Sequence, residues 1–223
     1  MSDSIKKKLI IFDVDGTVWD SEKDVFLAFG HVLREKEGIE INKEQFKELA
    51  GLSLEDMFGR YVPEQRKDLM PEYVRGYRKY YIDEEHYLDE TELFPGAKDT
   101  IEYFKEQGML MAVASGKEED LVKKMVSHFK LEGFSFILGS GRGKYEHKPD
   151  PEMLLHIMNE LGIEKDDAVI IGDSKADILA GQNAGIDTIA VTYGFDKPED
   201  LKQLNPTYII DDFSTLKEII KKQ

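Results

Sequence analysis

The sequence contains no cysteine. Disulfides, thiolate nucleophiles and cysteine-ligated zinc are therefore excluded. It also lacks a basic excess: 45 acidic residues against 30 Lys and Arg give a formal net charge of -15. An acidic surface repels nucleic-acid backbones and anionic lipid, so no nucleic-acid or membrane partner is expected. The same charge means that an anionic substrate needs a local positive pocket, and it points to a metal ion. No apolar run approaches the roughly 20 residues of a membrane span. The apolar run in the opening MSDSIKKKLIIF is too short for the core of a signal peptide, so a soluble, cytoplasmic protein is expected. The five histidines show no paired ligand spacing, which favours surface or capping roles over metal binding. What is present is 223 residues that are 41% hydrophobic, enough for a large core.

Six short apolar runs read as buried strands of a parallel sheet: LIIF (9–12), MLMAVA (109–114), FSFIL (134–138), AVII (168–171), TIAV (188–191) and YII (208–210). They are continuous rather than alternating, as strands covered by helices on both faces are. Pro95 and Gly96 precede the helix TIEYF, and Gly108 follows it as a C-cap. Asp150 and Pro151 open the next helix at the N-cap and first-turn positions, and Gly162 ends it. The alternation of helix and strand from residue 95 onward predicts an α/β fold with a doubly wound, Rossmann-like, mostly parallel sheet. The gap between the first two strands is far longer than a crossover helix needs. It holds only helical patterns: VFLAFGHVL, KEQFKELA, SLEDMFGRYV and YVRGYRKYYI. An all-helical cap over residues 18–91 is expected, inserted into a core made of residues 1–17 and 92–223.

Chemistry collects where strands end. The first strand runs into Asp13-Val14-Asp15-Gly16-Thr17. Two carboxylates at the end of a buried strand are costly without a partner, and side chains at i and i+2 share a side. Gly16 permits a sharp turn, and magnesium favours oxygen ligands of this kind. The fourth strand ends in Gly172-Asp173-Ser174, and Asp177 follows in the next helix. Carboxylates there also suit plain N-terminal capping. Both clusters nevertheless sit at carboxyl ends of strands, the edge at which open α/β sheets bind ligands. If the first and fourth strands are neighbours, Asp13, Asp15 and Asp173 converge on one cation. Ser115-Gly116, between the second strand and a helix, offers a hydroxyl and exposed amides to an anion. Lys148, in His147-Lys148-Pro149-Asp150-Pro151, can neutralise a phosphate oxygen as a point charge.

With these motifs in order, the chain resembles the haloacid dehalogenase-like superfamily, in the subfamily with a helical cap after the first strand. Asp13-Val14-Asp15-Gly16-Thr17, Ser115, Lys148 and Gly172-Asp173 with Asp177 follow the four family motifs, and the likeness spans most of residues 8–194. The resemblance implies a phosphatase acting on a small phosphorylated metabolite. It implies that Asp13 is the nucleophile that forms an aspartyl-phosphate and Asp15 the general acid and base. Mg2+ would be held by the Asp13 carboxylate, the Asp15 backbone carbonyl and Asp173. Ser115, the Gly116 amide and Lys148 would hold the transferring phosphoryl oxygens, with Lys148 counted among the catalytic groups. Thr17 and Asp177 would support these groups from behind, Asp177 by orienting Lys148 or a metal-bound water.

Within the family, Asp15 favours phosphate-ester chemistry over dehalogenation or phosphonate cleavage. Phosphosugar mutases share Asp15, but around a cap glycine resembling Gly51 they carry basic residues where this chain has Ala50 and Leu54. Phosphoglycolate phosphatases and small pyrophosphatases share the layout and stay unseparated, and a non-catalytic phospho-ligand binder is the alternative of a different class. Gly139-Ser-Gly-Arg-Gly-Lys144 fails the P-loop register, because Leu138 stands where a glycine is needed; it reads as a flexible active-site loop leading to Lys148. Trp19 is expected to pack between cap and core, and Tyr73, Tyr77, Tyr80 and Tyr81 to form a half-buried helical stripe. Arg60, Arg75 and Arg78 read as solvated. Oligomeric state is not legible, and a monomer is the default.

Overall fold

The computed structural model describes residues 4–49, 52–140 and 144–223. The chain forms two compact units, one of Met1–Asp20 with Leu93–Gln223 and the other of Ser21–Glu92. Among the described residues, no helix is long and apolar enough to cross a membrane.

The first unit is built on six strands: β1 (Leu9–Phe12), β2 (Leu110–Ser115), β3 (Phe134–Gly139), β4 (Ala168–Gly172), β5 (Asp187–Val191) and β6 (Tyr208–Ile210). Their spatial order is 3-2-1-4-5-6, with every neighbouring pair parallel. This is the doubly wound, Rossmann-like arrangement, and its strand order reverses at β1. All four residues of β1 and all five of β4 are buried, which is why both read as unbroken apolar runs. Register aligns Phe12 with Val113 on one side and with Ile171 on the other. The carboxyl ends of β1, β2 and β4 therefore lie side by side. A second, two-stranded parallel pair joins Ile5–Lys7 to Ile220–Lys222.

The second unit opens with α1 (Glu22–Glu37), α2 (Lys43–Lys47), α3 (Leu54–Gly59) and α4 (Met70–Arg78), and α4 runs on into a π-helical turn at Lys79–Asp83. Phe29 is its centre, with ring centroids 4.5 Å from Phe58 and 6.0 Å from Phe46. The buried Asp24 carboxylate accepts from the Glu90 amide at 3.1 Å and from Thr91 Oγ1 at 2.7 Å, tying the unit's beginning to its end. The tyrosine stripe divides: Tyr73, Tyr77 and Tyr81 are buried, while Tyr80 is half-buried between the rings of His31 and His86, 4.1 Å from each. Of the positions in the mutase comparison, Ala50 and Gly51 lie outside the described residues and Leu54 opens α3; Gly141, Arg142 and Gly143 of the glycine-rich loop lie outside as well.

The core is completed by α5 (Ala97–Glu106) before β2, α6 (Glu119–His128) after it, α7 (Glu152–Leu161) before β4, α8 (Lys175–Ala184) after β4, and α9 (Pro198–Gln203) between β5 and β6. Two capping expectations shift by a residue. Gln107, not Gly108, is the C-cap of α5. Pro151, not Asp150, is the N-cap of α7. Asp150 instead accepts the Glu152 amide on its side chain at 2.9 Å, the same work done one position earlier.

Candidate active site

The acidic loop after β1 is held by backbone bonds. The Asp13 amide donates to the Ile171 carbonyl at 2.8 Å, which fastens it to β4. The amides of Thr17, Val18 and Trp19 all converge on the Val14 carbonyl. This tight turn needs Gly16 in the left-handed region, with φ of 75°. Close approach adds a second reason. A Cβ on Gly16 would lie 2.2 Å from Asp173 Oδ2, and one on Gly194 would lie 2.3 Å from Asp173 Cβ. Asp173 is thus wedged between two glycines. Its oxygens are used as well: Oδ1 accepts from Thr17 Oγ1 at 3.0 Å, and Oδ2 from the Phe195 amide at 2.7 Å. Gly194→Ala is expected to displace this carboxylate, lowering turnover by roughly 100-fold and stability by about 1–3 kcal/mol. Steady-state kinetics and denaturant melts check both numbers.

Lys148 is the centre of charge. Its Nζ lies 2.5 Å from Asp13 Oδ1, 2.5 Å from Asp177 Oδ1 and 2.8 Å from the Ala114 carbonyl. Lys148 is not a solvated surface lysine, since its side chain is 7% exposed. Asp13, Asp173 and Asp177 are buried and present oxygens within 4.8 Å of one another. One ammonium bridges two of these three carboxylates, Asp13 and Asp177, and the excess of negative charge shows in the acidities. Burial, followed by the Asp177 and Asp15 charges, outweighs the pull of Lys148 and raises the Asp13 pKa to about 7. Burial and the neighbouring Asp13 and Asp177 hold Asp173 well above the usual carboxylate range, against the Phe195 amide and the Thr17 hydroxyl. Burial opposes the charge on Lys148, but Asp13 and Asp177 more than compensate and its pKa rises. An all-oxygen, buried and anionic cluster of this kind suits a hard divalent cation such as Mg2+.

Asp177 makes two sets of contacts, one with each carboxylate oxygen. Ser174 is the N-cap of α8, and Ser174 with Asp177 forms a capping box in which Asp177 Oδ2 accepts from the Ser174 amide and hydroxyl at 3.0 and 2.6 Å. The other oxygen grips Lys148. Ser115, fully buried, ends β2 and accepts the Lys117 amide on Oγ at 3.1 Å. Gly116 follows with open space where a Cβ would stand. The Asp15 side chain stands apart from the three-carboxylate cluster, with Trp19 Nε1 2.9 Å and Lys117 Nζ 3.0 Å from its Oδ1.

Sequence reasoning missed several participants. Phe195 contributes through its amide and Gly194 through the absence of a side chain, so neither carries a chemical signature. Their only cue is a glycine shortly beyond the end of β5. Tyr193 donates to the Thr17 carbonyl at 2.9 Å. Trp19, expected between cap and core, packs its ring on Phe129 of its own unit at 5.7 Å and donates to Asp15.

Fold and site together define an α/β protein whose chemistry lies at the carboxyl edge of a doubly wound sheet. The profile of haloacid dehalogenase-like hydrolases matches residues 10–191, and the chain belongs to that family. Phosphoglycolate phosphatase 1 of Pseudomonas aeruginosa is 32% identical, over 94% of this chain and 78% of that protein. Pyrophosphatase PpaX of Halalkalibacterium halodurans is 28% identical, over 95% of each. A haloacid dehalogenase-like hydrolase structure from Streptococcus pneumoniae superposes with a TM-score of 0.84 at 25% identity, covering 95% of this chain and 97% of that one.

Proposed function

We propose that the protein is a Mg2+-dependent phosphatase of small phosphorylated metabolites that works through an aspartyl-phosphate on Asp13. The observation that carries this reading is the buried cluster of Asp13, Asp173 and Asp177 at the end of the central strand, with the Lys148 ammonium bridging Asp13 and Asp177. Asp13 attacks phosphorus in line, and the P–O bond to the leaving group breaks as Asp15 gives that oxygen its proton. Water then attacks the aspartyl-phosphate and passes a proton to Asp15, which releases inorganic phosphate and restores Asp13. Lys148, Ser115 and the Gly116 amide hold the phosphoryl oxygens. Mg2+, when bound, supplies positive charge that lets one anion approach another, and its holders would be the Asp13 carboxylate, the Asp15 backbone carbonyl and Asp173. Asp177 keeps Lys148 in place. Selection of the leaving group is assigned to the helical unit.

The relatives support two leaving groups, since one is named for phosphoglycolate and another for pyrophosphate. A panel of phosphoglycolate, sugar phosphates, nucleotides and pyrophosphate, assayed for phosphate release, separates them. We expect release with Mg2+ and none with a chelator. Release that persists in the chelator, with contaminating phosphatase excluded, overturns the reading.

A further inference from the structure

The carboxylate of Asp15 is gripped on one oxygen by two donors. Trp19 Nε1 donates to Oδ1 at 2.9 Å, and Lys117 Nζ stands 3.0 Å from the same atom. Each donor is itself fixed. Trp19 is fully buried, its ring packs on Phe129, its amide donates to the Val14 carbonyl and its carbonyl accepts from Gly16. Lys117 has a side chain 13% exposed, and its amide donates to Ser115 Oγ. Its backbone is seated so closely that a Cβ on Gly139 would lie 2.3 Å from the Lys117 carbonyl oxygen. Both donors therefore belong to the rigid frame of the sheet's carboxyl edge.

An indole N–H and an ammonium can only donate. From this geometry we infer that Trp19 and Lys117 are positioning residues that pin Oδ1 of Asp15 and so fix the direction in which this carboxyl meets the leaving group. The inference rests on the reading of Asp15 as the general acid. It also assigns Lys117, two residues beyond Ser115, to the acid rather than to a substrate anion. The two donors act on one atom from different elements, so each contributes to its position.

The test is the dependence of kcat/KM on the leaving group. This parameter reports formation of the aspartyl-phosphate, the step in which the leaving oxygen departs. An alkyl phosphate needs a proton there; p-nitrophenyl phosphate, with its stable phenolate, does not. For Trp19→Phe and Lys117→Met we expect kcat/KM on the alkyl ester to fall roughly 10- to 100-fold, part of the 10²–10⁴ that general acid catalysis supplies. On p-nitrophenyl phosphate the loss should stay within about threefold, the size of effect left when no proton is needed. Lys117→Arg should restore most of the alkyl-ester rate. Melting temperatures accompany each assay, and Lys117→Met decides the matter alone if the buried Trp19→Phe is unstable.

Asp15→Asn is the control. If its losses are equal on both substrates, the acid role of Asp15 fails and the inference falls with it. If Asp15→Asn loses the alkyl ester selectively while Trp19→Phe and Lys117→Met do not, the inference alone is overturned. A rise in KM shared by both substrates in Lys117→Met places that lysine on the substrate and overturns it as well.

Discussion

Asp13→Asn is expected to lower turnover by roughly 10⁴-fold or more, the scale seen when a covalent nucleophile is removed, while making the metal-free protein more stable at pH 8. The two effects share one cause. Asp13 is buried among like charges, and its pKa in the fold is raised to about 7 from 3.8. A carboxylate whose folded value lies above its unfolded value stabilises the fold only when protonated, and that contribution is lost as pH rises through the folded value. At pH 8 the charge is therefore fully imposed on the native state. The shift corresponds to roughly 4 kcal/mol. Asn removes the charge but also weakens the bond to Lys148, so a gain of about 2 kcal/mol is expected at pH 8, fading toward pH 5. Phosphate-release kinetics with Mg2+ and denaturant melts in a chelator measure the two halves separately. Turnover above one-hundredth of wild type would falsify the nucleophile assignment.

Lys148→Met should act in the opposite direction on stability. Removing the one ammonium from a buried group of three carboxylates leaves their charge uncompensated, a change of about 3–5 kcal/mol. Met keeps most of the volume, so the cost is electrostatic rather than a cavity. The loss depends on pH. Lys148 is the group that draws the Asp13 pKa down against burial, so without it that value climbs further. Protonation then relieves the repulsion at pH 5, and the gap between wild type and variant should widen as pH rises from 5 to 8. Turnover should fall by roughly 10²–10³, as for other losses of a group that stabilises transition-state charge. A stability gap of equal size at both pH values would show that the lysine packs rather than neutralises.

Strands buried on both faces were legible to within about a residue, because β1 and β4 have no polar position to blur their ends. The strand pair of Ile5–Lys7 and Ile220–Lys222 was not. Both segments read Ile-Lys-Lys, and nothing local reveals that Lys7 is buried, 2.6 Å from the Asp187 carboxylate and 2.6 Å from the Asp166 carbonyl. The same limit applies at the site. Aspartates at strand ends announce themselves, since burying them needs a reason. The partners that bury Lys148 are all distant in sequence, from 29 to 135 positions away, so a Lys-Pro-Asp-Pro segment reads equally well as surface. Gly194 and the Phe195 amide serve through backbone alone and leave no chemical trace in the sequence. Asp177 shows that the competing readings need not exclude each other, because one oxygen caps a helix while the other holds a lysine.

The central strand has consequences for synthesis. β1 pairs with strands that begin near residues 110 and 168, and the loop after it meets Asp173. Asp13 thus leaves the ribosome 160 residues ahead of Asp173 (173 − 13). At roughly 5–20 residues per second, that is about ten seconds or more of translation. Through nearly all of it, a nascent chain holds an apolar strand that lacks at least one of its two partners. The same chain has no assembled catalytic centre, so an unfinished copy can stick to its neighbours but has no means to hydrolyse anything.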